Sequence, residues 1–220
     1  MTILLAIEGA DGVGKNTAAN RVTAELNATG FRAAMLSFPR YQDTAGGIAL
    51  GQFLAGKLPV TVTPHAAAVL YALDRFESKA LIEAEIAAHD VIVFDRYIAS
   101  NMAYQSAKLP PDEARAMLDW IGRLELDQFS LPAPTLSIYL DTPWDLAREL
   151  ILRKHQRSYT DRSYDEHEAD AALQLRVRQA YETMVAEGLL GPWTTVHASQ
   201  DGTMRPPETI SSEIRAALPL

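Results

Sequence analysis

The chain has 220 residues, 48% of them hydrophobic, with a formal net charge of −8 and no cysteine. That hydrophobic share is enough for a buried core and argues against disorder, and the missing cysteines exclude disulfides and thiolate metal sites. The acid excess and the lack of a long basic run argue against a nucleic-acid polymer as partner. No apolar run nears the roughly 20 residues that span a bilayer, and the opening MTILLAIEGADG lacks the basic start of a secretory signal. A cytoplasmic protein with one domain over residues 1–220 is therefore expected.

Short apolar runs alternate with longer amphipathic stretches. Ile3 to Ile7, Ala33 to Phe38, Val91 to Phe94, Leu136 to Leu140 and Thr194 to His197 read as buried strands. Ala18, Val22 and Leu26 recur at four-residue spacing and predict a helix that Gly30 stops. Pro64 starts a second helix predicted to run on towards Ala88. This alternation implies a parallel sheet with helices on both faces. Residues 153–168 are dense in charge and poor in aliphatics, which predicts a lid, at about 148–168, rather than core.

After the first strand comes Gly9-Ala10-Asp11-Gly12-Val13-Gly14-Lys15-Asn16-Thr17. Glycines let the backbone turn its amides inward, and the following helix adds its own N-terminal amides, which makes an anion nest. Lys15 can then reach the β- and γ-phosphates of a nucleotide. The usual motif has Ser or Thr directly after the lysine as a Mg²⁺ ligand; here that residue is Asn16, and Thr17 comes one place late. Such a loop alone does not separate a kinase from a switch GTPase or an assembly ATPase.

Three further segments can face the same sheet edge, where ligands of parallel α/β folds sit. They are Phe38-Pro39-Arg40-Tyr41, then Leu70-Tyr71-Ala72-Leu73-Asp74-Arg75, then Asp95-Arg96-Tyr97-Ile98-Ala99-Ser100-Asn101-Met102-Ala103-Tyr104-Gln105. Asp95 ends an apolar strand in the manner of a Walker B carboxylate, although an Asp-Arg pair also serves as a plain salt bridge. Tyr71 and Arg75 share one helix face, as do Asn101 and Tyr104.

On these segments, with D-R-Y-x-x-S-x-x-A-Y-Q intact, the chain resembles the thymidylate kinase family over nearly its whole length. The resemblance implies a three-layer P-loop NTPase fold, with a five-stranded parallel sheet flanked by helices. It also implies transfer of the γ-phosphoryl of ATP to dTMP, with Mg²⁺ and a homodimer. By the same resemblance, Gly9, Asp11, Gly12, Val13, Gly14, Lys15, Asn16 and Thr17 hold ATP. Asp11, Phe38, Arg40, Tyr41, Tyr71, Arg75, Arg96, Ser100, Asn101, Tyr104 and Glu168 form the dTMP site. Arg75 meets the thymine edge, Tyr71 stands where the family stacks Phe on the base, and Tyr104 crowds the sugar 2′ position. Asp11, Asp95 and Glu168 hold the metal, and Lys15, Asp95, Arg96 and Arg153 serve the transfer. Arg153 is chosen from Arg148, Arg153, Lys154, Arg157 and Arg162, a run that also reads as a solvated face. Two alternatives remain: another nucleoside or nucleoside monophosphate kinase, and a nucleotide-binding regulatory protein without turnover.

Overall fold

The computed structural model describes residues 2–157 and 171–220, apart from the side chains of residues 151 and 153–157. Five strands, β1 (Ile3–Glu8), β2 (Ala33–Ser37), β3 (Val91–Asp95), β4 (Leu136–Asp141) and β5 (Trp193–His197), form one sheet in the order β2-β3-β1-β4-β5. Every pairing is parallel. Strands buried on both faces need unbroken apolar runs rather than alternation. Leu5, Ile7, Ile92, Val93, Phe94 and Ile138 accordingly have no exposed surface, and each contributes roughly 1.5–3 kcal/mol by burial.

The helices are α1 (Lys15–Ala28), α2 (Ala45–Leu54), α3 (Pro64–Glu77), α4 (Lys79–Ala88), α5 (Ile98–Ser106), α6 (Pro111–Gly122), α7 (Trp144–Arg157), α8 (Ala171–Glu187) and α9 (Pro207–Ala216). They flank the sheet: α1 packs on β1, β2 and β3 and meets α9, while α8 packs on β5 and on α5. A π-helical turn, Arg123–Gln128, continues α6. A small hairpin pairs Ser199–Gln200 with Thr203–Met204. Among the described residues no helix is long and apolar enough to cross a membrane.

The five predicted strands are present with ends shifted by a residue, and α1 stops where Gly30 takes φ +94°. The helix predicted from Pro64 to Ala88 is instead two helices broken at Ser78. Ser78 Oγ donates to the Asp74 carbonyl at 2.8 Å and accepts from Arg40 Nη1 at 3.2 Å. Apolar spacing does not register such a side-chain competitor for helix hydrogen bonds.

Because β1 is central and lies between β3 and β4, the loop after it opens where the strands end, beside Asp95 and Asp141. Gly9 there approaches β4 closely: a Cβ would meet the Leu140 carbonyl oxygen at 2.7 Å. The packing is tighter still where α2 meets the Arg40 turn. A Cβ on Gly47 would lie 2.0 Å from the Arg40 carbonyl oxygen, and one on Gly46 2.5 Å from the Asp74 amide nitrogen. Gly47→Ala should therefore lower stability by about 1–3 kcal/mol, since backbone cannot move aside as a flexible side chain can. Calorimetry checks this as a fall of several degrees in Tm, against no fall and a small rise for Gly122→Ala, a helical position whose added Cβ meets nothing within 4 Å.

Candidate active site

The loop between β1 and α1 rests on three glycines with positive φ, Gly9 at +146°, Gly12 at +77° and Gly14 at +90°. Gly14 caps α1, so the amides of Lys15, Asn16 and Thr17 open the helix. Val13 is buried beneath the loop. Lys15 is almost fully buried, with Nζ donating to the Ala10 carbonyl at 2.5 Å. Burial, reinforced by the like charge of Arg96, pulls its pKa down to about 7, and Asp11, Asp95 and Glu8 counter that only in part.

Arg96 leaves β3 with φ +66°, a left-handed conformation costly for a bulky residue. Its backbone N–H donates to the Ile7 carbonyl at 3.2 Å. Its guanidinium pairs with Asp11 Oδ1 through Nη2, reaches Ser100 Oγ at 3.2 Å through Nη1, and lies 5.5 Å from the Tyr104 ring centroid. Burial alone would raise the Asp11 pKa; Arg96 and then Lys15 outweigh it and hold the carboxyl down to about 2.

Three residues outside the expected site set, Gln174, Glu8 and Tyr181, complete this cluster. Gln174 on α8 donates to Asp11 Oδ2 at 2.9 Å and accepts the Asp11 backbone N–H at 3.1 Å. The Tyr104 hydroxyl approaches the same Gln174 oxygen at 3.5 Å. Glu8, fully buried at the end of β1, accepts from Ser100 Oγ at 2.6 Å, the Tyr97 amide at 2.8 Å and the Tyr181 hydroxyl at 3.1 Å. Burial still raises the Glu8 pKa against those donors. Ser100 is thus bonded inward, to Glu8 and Arg96.

A second cluster lies along α3 and α5. Arg75 is buried over Phe38, 6.0 Å from its ring centroid, and forks onto Glu125. Asn101 donates to the same carboxylate at 2.9 Å. Tyr71 is half-buried on α3. Arg40 is held apart from both clusters: its backbone N–H donates to Asp74 Oδ2 at 3.1 Å, and its guanidinium faces Ser78 and Asp43. Tyr41 beside it is exposed. Thr44 caps α2 through Gly47 N–H and donates to Asp74 Oδ1 at 2.5 Å, so Asp74 ties the Arg40 turn to α3.

Asn16 and Thr17 are exposed on the first turn of α1. Asn16 Nδ2 donates to Asp95 Oδ2 at 2.9 Å, and Asn16 Oδ1 accepts from Asn20 Nδ2 at 3.2 Å. Among the described residues no three carboxylates or histidines gather as a metal cluster. Arg148 is exposed on α7, while Glu168, Arg162 and the side chains of Arg153, Lys154 and Arg157 lie outside the described residues.

The thymidylate kinase family profile matches residues 7–202. The chain is 35% identical over 215 residues to a Mycobacterium tuberculosis protein named thymidylate kinase, covering 95% of this chain and 100% of that one. A human thymidylate kinase is 28% identical over 197 residues, 90% of this chain and 82% of the human one. A Bifidobacterium longum thymidylate kinase matches at 34% over 128 residues, 54% of this chain and 59% of its own. This chain belongs to the thymidylate kinase family.

A phosphate that pairs with Lys15 would bind with an affinity that depends on pH. Below about 7 the free lysine is already charged; between about 7 and its ordinary 10.5 it is neutral until a phosphate draws a proton onto it. Affinity for a triphosphate should fall as pH rises through that window, by no more than about tenfold per unit. Calorimetry at pH 8 in buffers of different ionisation enthalpy should register uptake of close to one proton, and Lys15→Met should abolish it.

Proposed function

We propose that this chain is an ATP:dTMP phosphotransferase that makes dTDP and ADP. The observation that carries the reading is the Arg96 guanidinium fixed by Asp11 beside Lys15, at the strand ends of a thymidylate kinase family member. Phosphoryl transfer needs two phosphates in line, their charge offset and water excluded. Lys15 and the amides from Gly12 to Thr17 suit the ATP phosphates, and Arg96 suits the acceptor phosphate. Asp11 orients Arg96 rather than removing a proton. No general base is required, because a phosphate monoester is largely ionised near neutral pH, its second pKa being about 6. Tyr104, packed under Arg96 and touching Gln174, is suited to crowding the sugar 2′ position.

At the base end, Phe38, Tyr71, Arg75 and Asn101 suit the pyrimidine, with Arg40 and Tyr41 on the rim. Ser100 serves by holding Arg96. Arg153 and Glu168 are assigned to the transition-state charge and to the acceptor or metal by their place in the family pattern. The homodimer is part of the same proposal, and Ile48 on α2 with Val69 on α3, both large, apolar and exposed, supply a face for a second copy. A cytoplasmic location belongs to it as well.

In a coupled ADP-release assay over a panel of acceptors, dTMP should give the highest kcat/KM. A higher value for AMP, or for thymidine without its phosphate, sinks the assignment.

Magnesium fits this donor set. The ion commonly takes one or two carboxylates and fills its remaining positions with phosphate and water. Asp95 keeps Oδ1 clear of the bond from Asn16, whereas each Asp11 oxygen already accepts a hydrogen bond, so Asp95 is the readier ligand. When bound, the ion offsets charge on the transferring phosphates. Asn16 turns its amide nitrogen to Asp95, so Asn16→Ala should change the half-saturating Mg²⁺ concentration by less than about threefold, while Asp95→Asn should raise it by about tenfold or more. A Mg²⁺ titration of turnover in which Asn16→Ala shows the larger rise would instead make Asn16 a direct ligand.

A further inference from the structure

Glu125 lies on the π-helical turn that continues α6. The Phe129 N–H closes this turn on the Leu124 carbonyl, five residues back, at 3.0 Å. Both Leu124 and Glu125 are buried there, and Glu125 has no exposed surface. Three donors converge on its carboxylate. Arg75 Nε reaches Oε2 at 2.5 Å, Arg75 Nη2 reaches Oε1 at 2.6 Å, and Asn101 Nδ2 reaches Oε1 at 2.9 Å.

A carboxylate facing a guanidinium offers only lone pairs, so Asn101 must present its NH₂ to Glu125. The other contact of that NH₂ agrees, since Nδ2 also donates to the Ala68 carbonyl at 3.0 Å. Turning the amide over would set its oxygen against two acceptors. The orientation leaves Asn101 Oδ1 buried with no hydrogen-bond partner among the described residues. An orphaned buried acceptor costs roughly 1–3 kcal/mol, and an N–H from a ligand is the group that relieves it. Arg75, for its part, uses Nε and Nη2 on Glu125 and keeps Nη1 out of both bonds.

The two side chains therefore bring one acceptor and one donor to the base end. A 4-oxopyrimidine carries the matching pattern, an N3–H donor beside an O4 acceptor. A 4-aminopyrimidine reverses it, with a bare N3 and an amino donor. We propose that Glu125 is a positioning residue that sets base selectivity: it fixes the polarity of Asn101 and Arg75 so that 4-oxopyrimidine monophosphates are taken and 4-aminopyrimidine monophosphates refused. This rests on the reading of Arg75 and Asn101 as base-contacting residues.

Glu125→Gln keeps the shape but adds an NH₂ that can donate to Asn101 Oδ1, which leaves the Ala68 carbonyl as the one acceptor opposing a turned amide. The ratio of kcat/KM for dTMP to that for dCMP should fall roughly tenfold or more, mainly through the acceptor KM, with KM for ATP unchanged. Glu125→Asp keeps an acceptor in place, so its ratio should stay within about threefold of wild type even where both activities drop. A purely structural role lowers both acceptors alike, and an unchanged ratio in the Gln variant overturns the proposal. If the Gln variant fails to fold because Arg75 is left uncompensated, the Asp variant decides: a folded Asp variant that has lost discrimination overturns it, and one that keeps discrimination supports it. Wild-type turnover of dTMP is measured alongside, so its failure counts against the kinase reading and not against Glu125.

Discussion

The attachment of Arg96 to Asp11 governs the geometry at the end of β1 and β3. Two cations, Lys15 and Arg96, share that space and each raises the cost of charge on the other. Asp11 offsets both, and it does so from inside the phosphate loop, where its backbone N–H and its second oxygen are held by Gln174. The guanidinium is thereby set before any anion arrives, at the cost of a left-handed backbone at Arg96. Preorganised charge of this kind is worth more in a dry site than the same charge free to reorient in water.

Beneath that layer sits a floor of hydrogen bonds that no phosphate would touch. Glu8 gathers Ser100, Tyr97 and Tyr181, elements from α5 and α8, under the strand that feeds the loop. Asp74 does the same for the rim, holding the Arg40 turn and the Thr44 cap of α2 at once. Each buried carboxylate has two or more donors, the condition under which polar groups rigidify an interior rather than weaken it.

Much of this was legible from residue order. The apolar runs marked all five strands because strands buried on both faces leave an unbroken signature. The glycine spacing, with Lys15, marked the phosphate loop because φ above zero and inward amides demand it. The motif after Asp95 brought Arg96, Ser100 and Tyr104 to one cluster and Asn101 to the cluster beside it. What escaped notice was of another kind. Ser78 breaks a helix through a side-chain bond that apolar periodicity does not weigh. Glu125 sits on a π-turn, which rotates the buried face away from the register an α-helix predicts. Gln174 is an uncharged residue in a polar helix, distant in sequence by more than 160 positions from the Asp11 that it holds. Glu8 is a lone acid at a strand end, where neighbours far along the chain decide its role.

The Arg75–Glu125 pair has a consequence for inhibitor chemistry. Arg75 would look, on its own, like an anchor for an acidic group replacing the base. Its charge is already neutralised, with both partners almost wholly out of contact with water. A compound carrying an anion to that end would give up its hydration and find no unpaired cation in return. Neutral head groups with one N–H donor and one carbonyl suit this pocket better, and the gain from charge is to be sought at the other end, where Arg96 and Lys15 stand past the C-terminal ends of β3 and β1.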